Sequence, residues 1–254
     1  MANIGYRTFD GTSGDQLLVN IGNLASTSLT PRTWIVAARV VVPGEIVTSQ
    51  DYGAMDWFVD VDRYLRWYDG TSASPDASPT IPGSTVDFIA AFRLPTGTGV
   101  MRYSLATHNG SVWSSFTHAD STWDPGNPTL PSSGVLHIAA GMAEAFMTGR
   151  MAVLATCNAI LSDANVNTLT ADFASWSALP SITNLWRLDQ TPVVDLIGTA
   201  SQNTLAGTTV TANGFPLDEG SAGTNLVVAD GLHAHAADAV VLTQVHSLVV
   251  ADGL

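Results

Sequence analysis

A few groupings in the 254-residue chain place chemically able side chains at suggestive spacings. His233 and His235 set two imidazoles on one face of an extended strand, a spacing that can present both to one metal ion. Two histidines alone do not make a strong site, and the plainer reading is a pair of polar positions in a tail that pairs with itself or a neighbour. Asp60 and Asp62, with Asp51 and Asp56 close by, are oxygen donors of the kind calcium takes. Aspartate also bonds to its own backbone in a hairpin turn, and that reading ranks first for Asp60-x-Asp62. Among the aromatic residues, Trp34, Trp176 and Trp67 read as core. Trp57, Tyr64 and Tyr68 offer further rings, and Trp113 and Trp123, flanked by Ser, Asp and Pro, are the pair expected to be exposed and able to stack on a sugar.

Other chemistry is disfavoured by what the spacing lacks. Glu45, Glu144 and Glu219 lie far apart, whereas glycosidases need two carboxylates flanking one bond. No Gly-x-Ser-x-Gly elbow occurs, although a Ser-His-Asp set assembled from distant segments is not legible in a sequence. Cys157 is the single cysteine, so no intrachain disulfide forms, and a buried inert thiol is expected. The formal charge is −13, every base is an arginine and none follows Arg187, which argues against nucleic acid as a partner. No window is apolar enough for a membrane span, and Met1–Gly11 has no secretion-signal pattern. No enzymatic activity is expected.

These residues must be carried by short strands. Tyr6–Asp10 and Gln16–Val19 flank a Gly/Ser-rich turn. Trp34, Val36, Ala38 and Val40 share one face of a long strand that ends at Pro43-Gly44, and Val86 to Arg93 alternates in the same way. Trp57–Val59 and Tyr64–Tyr68 form a hairpin around Asp60–Arg63, and Asn109-Gly110 signals another. In the strand from Arg150 to Cys157, strict alternation puts Met151, Val153, Ala155 and Cys157 on one face and Arg150, Ala152, Leu154 and Thr156 on the other. After it, Ser162 caps one amphipathic helix in which Val166, Leu169, Phe173 and Trp176 recur at helical spacing. Asn165 stands at the third helical position, and its amide is expected to weaken the reciprocal capping bond. Many short strands with turn signals between them point to a β-sandwich.

Past Ser181 the texture changes to extended pieces, and a repeat closes the chain. Leu226-Val227-Val228-Ala229-Asp230-Gly231-Leu232 recurs as Leu248-Val249-Val250-Ala251-Asp252-Gly253-Leu254, 22 residues on. The expected organisation is a jelly-roll domain at 1–180, an extended linker at 181–220 and a repeat-bearing segment at 221–254. Leu226, Val228, Leu232, Val241, Leu248 and Val250 are the residues expected to dock or oligomerise.

Two resemblances bear on identity. Gly149 followed by the strand and then Leu161-Ser162-Asp163-Ala164 resembles the end of laminin-G-like and concanavalin-A-like jelly rolls, and Phe9-Asp10-Gly11-Thr12-Ser13 resembles their beginning. The passage from Leu185 to Ala200, with His233, His235, Asp238 and Leu242-Thr243-Gln244, resembles the tails of virion proteins of actinobacterial phages. These resemblances imply an all-β jelly-roll sandwich with one short helix, and a non-enzymatic decoration or minor protein on a phage capsid or tail. Such a protein would be assembled in the host cytoplasm, with other virion proteins as partners and a homotrimer favoured. In a trimer, His233 and His235 of three chains would supply six nitrogens for a metal. The alternative is an adsorption protein, a minor tail protein whose jelly roll binds host glycan.

Overall fold

The computed structural model describes residues 3–11, 16–20, 33–49, 56–68, 79–94, 100–121, 135–139, 146–198, 201–206 and 208–220. Its strands are β1 (Tyr6–Asp10), β2 (Gln16–Asn20), β3 (Thr33–Val42), β4 (Gly44–Ser49), β5 (Asp56–Val59), β6 (Leu65–Tyr68), β7 (Asp87–Arg93), β8 (Met101–His108), β9 (Thr117–Ser121), β10 (Val135–Ile138), β11 (Thr148–Cys157), β12 (Ile182–Arg187), β13 (Val194–Asp195), β14 (Ser201–Ala206) and β15 (Thr209–Thr211). All pairings are antiparallel, in the order β6-β5-β4-β10-β2-β14-β13-β12-β11-β3-β7-β8-β9, and β1 joins β11 to β15.

Consecutive strands pair only in short runs, because the chain keeps crossing between two layers. It passes from β3 to β4–β6, to β7–β9, to β10 and on to β11 and β12. The two halves face each other across one apolar core. Trp34, Val36, Phe92, Tyr103 and Leu154 enter it from one side, and Val47, Trp57, Trp67, Leu136 and Ile138 from the other. Trp67 stacks on Phe92 with centroids 4.6 Å apart and meets Trp34 at 6.0 Å, so aromatic rings bridge the layers. The fold is a jelly-roll β-sandwich.

A second core lies on the opposite face of β3, β7, β11 and β12, where Ile35, Ala37, Ile89, Ala91, Val153, Ala155 and Leu185 are covered by Val166, Leu169, Phe173 and Trp176. The spacing that reads as one helix is broken in the structure. The α-helix α1 covers only Asp163–Asn167, and 3₁₀ turns follow at Thr168–Thr170 and Ala174–Ala178. Tertiary bonds decide this. The Phe173 amide donates to the Asp218 carbonyl at 2.7 Å, and the Asp172 carboxylate takes the Ser175 amide, so the backbone leaves the helical ladder while its apolar stripe stays buried. The capping box is complete. Asn165 N donates to Ser162 Oγ at 3.2 Å, and Asn165 Oδ1 accepts from the Ser162 amide at 3.3 Å. A shorter amide thus fills the place of glutamate.

Two further expectations are corrected. Strict alternation fails in β11, where the register against β3 shifts between Met151 and Val153. Met151 and Leu154 face the inter-layer core, while Ala152 and Val153 both face the second one. A bulge puts two residues opposite one and reverses the parity beyond it. Nor is 181–220 a linker. Its β12 pairs along β11, Trp186 and Leu188 are fully buried in the first core, and Phe215 and Leu217 are fully buried in the second. The chain divides instead into Met1–Ser221 and Ala222–Leu254, and the second unit lies outside the described residues.

Candidate functional site

At one end of β7–β9, cross-strand register sets polar residues side by side. Arg93 pairs with Arg102, Arg102 with Asp120, and Ser104 with His118. The Ile160–Asp163 turn closes over them and brings in Asp163. Arg102 Nε and Nη2 reach the Asp163 carboxylate at 2.9 and 2.6 Å, and its Nη1 reaches Asp120 at 2.6 Å. Arg93, only 3% exposed, donates from Nη1 to Asp163 at 2.7 Å and to the Leu161 carbonyl at 3.0 Å, and from Nη2 to Ser104 Oγ. A groove of about 500 Å³ opens here, walled by Val100, Ile160 and Leu161.

The electrostatics follow from these bonds. Hydrogen bonding from Arg102 holds the Asp163 carboxyl far below the usual carboxylate range, and the same bond raises the Arg102 guanidinium. Burial lowers both Arg93 and His118. The set contains a serine, a histidine and an aspartate, but its wiring is not that of a nucleophilic triad. Ser104 Oγ lies 2.7 Å from His118 Nδ1, and Asp163 meets that same nitrogen at 3.5 Å. A triad needs the carboxylate on the far nitrogen, and Ser104 is fully buried beneath Arg93.

Elsewhere, the residues singled out from sequence meet different fates. Trp113 is half-buried. Its ring packs beside His108 and Phe215 against the second core, and its Nε1 donates to the Pro216 carbonyl at 2.9 Å. Trp57 and Trp67 are wholly interior. Asp60 serves its turn, with Oδ1 accepting the Tyr64 amide at 2.8 Å and Oδ2 accepting Arg66 Nε at 2.5 Å. Asp62 is exposed at the tip of that turn, and Asp56 opens β5. Among the described residues no three His, Cys, Asp or Glu converge as metal ligands. Cys157 is buried, and its thiol is pushed up to about 12 by desolvation. Glu219 pairs with Arg187 at 2.5 Å. Trp123, Asp51, Glu144, His233, His235, Leu226, Val228, Leu232, Val241, Leu248 and Val250 lie outside the described residues.

Sequence reading missed Arg93, Arg102, Ser104, His118, Asp120 and the ionic role of Asp163. The usable signal was the i, i+2 spacing in Arg102-x-Ser104 and His118-x-Asp120, which puts each pair on one face of its strand.

No protein-family model matches the chain, and neither does any curated protein. Among solved structures, it is similar to the native heptameric SAP-like pentraxin from Limulus polyphemus. The TM-score is 0.47 at 14% identity, with 83% of this chain and 96% of that chain covered.

Proposed function

We propose that the protein is a non-enzymatic structural component of a bacteriophage particle. In this reading Met1–Ser221 is a jelly roll displayed on the capsid or tail surface, and Ala222–Leu254 is a docking or trimerising segment. The observation that carries it is the division of the chain at Ser221. Both apolar cores are built within the first unit, and the duplicated Leu-Val-Val-Ala-Asp-Gly-Leu falls wholly in the second. A repeat that cannot bury its own face alone is suited to pairing with copies of itself or with a lattice. The resemblance of the His233–Gln244 region to phage virion tails supplies the setting.

Two measurements test this. Peptide mass spectrometry of density-banded phage particles should recover this chain as a stoichiometric component, and its absence from intact particles defeats the proposal. Light-scattering mass of the full chain and of Met1–Ser221 should give a trimer and a monomer. A monomer in both cases moves the segment's role from trimerisation to docking on the particle.

A further inference from the structure

We propose that the groove between β7–β9 and the Ile160–Asp163 turn binds a neutral saccharide unit through Arg102 and Asp120. This site is separate from Trp113 and independent of particle membership.

The chemistry of the groove selects the ligand. Its volume, about 500 Å³, lies in the range of small-ligand pockets. Two guanidinium groups, Arg93 and Arg102, are balanced by two carboxylates, Asp120 and Asp163, so an added ion of either sign meets a like charge. A sugar hydroxyl both donates and accepts, and it can address both signs at once. Arg102 is one-third exposed, and among the described residues it commits three of its five N–H groups. Asp120, half-exposed, has lone pairs beyond the one its Oδ1 gives to Arg102. Each group fixes the other's orientation, so the pair is preorganised. Val100 and Ile160, half-exposed on the rim, offer an apolar surface to the C–H face of a ring.

A second observation points the same way. Arg93 lines the groove at 3% exposure, and its Nε–H has no hydrogen-bond acceptor among the described residues. Buried donors are nearly always met, and this unmet one leaves a polar demand in the side chain that backs the groove.

The test is a titration of the full chain followed by ¹H–¹⁵N correlation at the arginine Nε–Hε signals. The probes are methyl glycosides of glucose, mannose, galactose and arabinose, and chitobiose, with glucuronate and sulfate as anions. Saturable shifts of the Arg102 and Arg93 signals with at least one neutral sugar are expected. Asp120→Ala should weaken that binding about tenfold and Ile160→Ala less, with melting temperatures unchanged because the Asp120 pair is exposed. The proposal is overturned by silence across all neutral probes, by response to the anions alone, or by shifts that Asp120→Ala leaves untouched. None of these results alters the particle mass-spectrometry outcome.

Discussion

Asp87 shows how individual charged residues are used in this protein. Its carboxylate, 5% exposed, takes Nε and Nη2 of Arg39 at 3.1 and 2.6 Å and the same atoms of Arg150 at 2.9 and 2.7 Å. Two bidentate pairs fill the acceptor positions of one carboxylate. Asp87→Ala would leave two guanidinium groups facing each other, and unfolding in urea should show a loss of about 3 kcal/mol. Arg7 and Arg63 are instead held by carbonyls and hydroxyls, Arg7 by Leu188, Gln190, Thr191 and Thr208, and Arg63 by Ile81, Val40 and Gly83. Stability should also respond to acid through histidine. His118 faces Arg93 from β7, Arg102 and Ser104 from β8, and Asp163 and Asn167 from the α1 segment. Burial lowers its folded value below the ordinary 6.5, and burial lowers His137 likewise. Their contribution is full above the unfolded value and is lost as pH falls through the folded ones. Asp163, held far below its ordinary 3.8, loses its share only at lower pH still. The melting temperature should therefore fall between neutral pH and pH 5, and His118→Gln should flatten part of that fall and leave the share of His137.

At the scale of elements, the short helix and the bulged strand are each fixed by one or two contacts. Ser162→Ala removes the acceptor for the Asn165 amide and should cost about 1 kcal/mol in thermal unfolding. Gly149 sits where β11 passes close to β3. A Cβ there would lie 2.1 Å from the Arg39 carbonyl oxygen, so Gly149→Ala should destabilise through backbone displacement. In the inter-layer core, Trp67→Ala would empty the contacts to Trp34 and Phe92, with an expected cost of about 3–5 kcal/mol by denaturant unfolding.

For the whole molecule, the position of the domain end sets what can be cut. Truncation after Leu179 removes β12 and with it Trp186 and Leu188, which are fully buried in the first core. That fragment should fail to give a cooperative melt, whereas Met1–Ser221 should melt as one unit, and circular dichroism against temperature distinguishes them. With −13 formal charge and every described arginine bonded internally, the chain carries an acidic excess, which disfavours polyanionic partners.

What the sequence determined by itself was whatever depends on near neighbours. Alternation in Trp34–Val40 and Phe88–Phe92 assigned both faces of β3 and β7 correctly, because side-chain parity holds along an unbroken strand. The Asn109-Gly110 turn, the Asp60 turn and the Ser162 cap were legible for the same reason: each bonds within a few residues. Tertiary structure decided the rest. The bulge in β11 answers to β3 more than a hundred residues away, and parity cannot show it. The helix breaks because Asp218 takes the Phe173 amide. Residues 181–220 look like a linker because they read as short extended pieces, yet β12 pairs along β11 and its Trp186 is buried in a core shared with strands far earlier in the chain. The groove likewise needs β7, β8, β9 and the Asp163 turn brought together. Only the cross-strand register, with the turn that brings in Asp163, makes Arg93, Arg102, Asp120 and Asp163 one site.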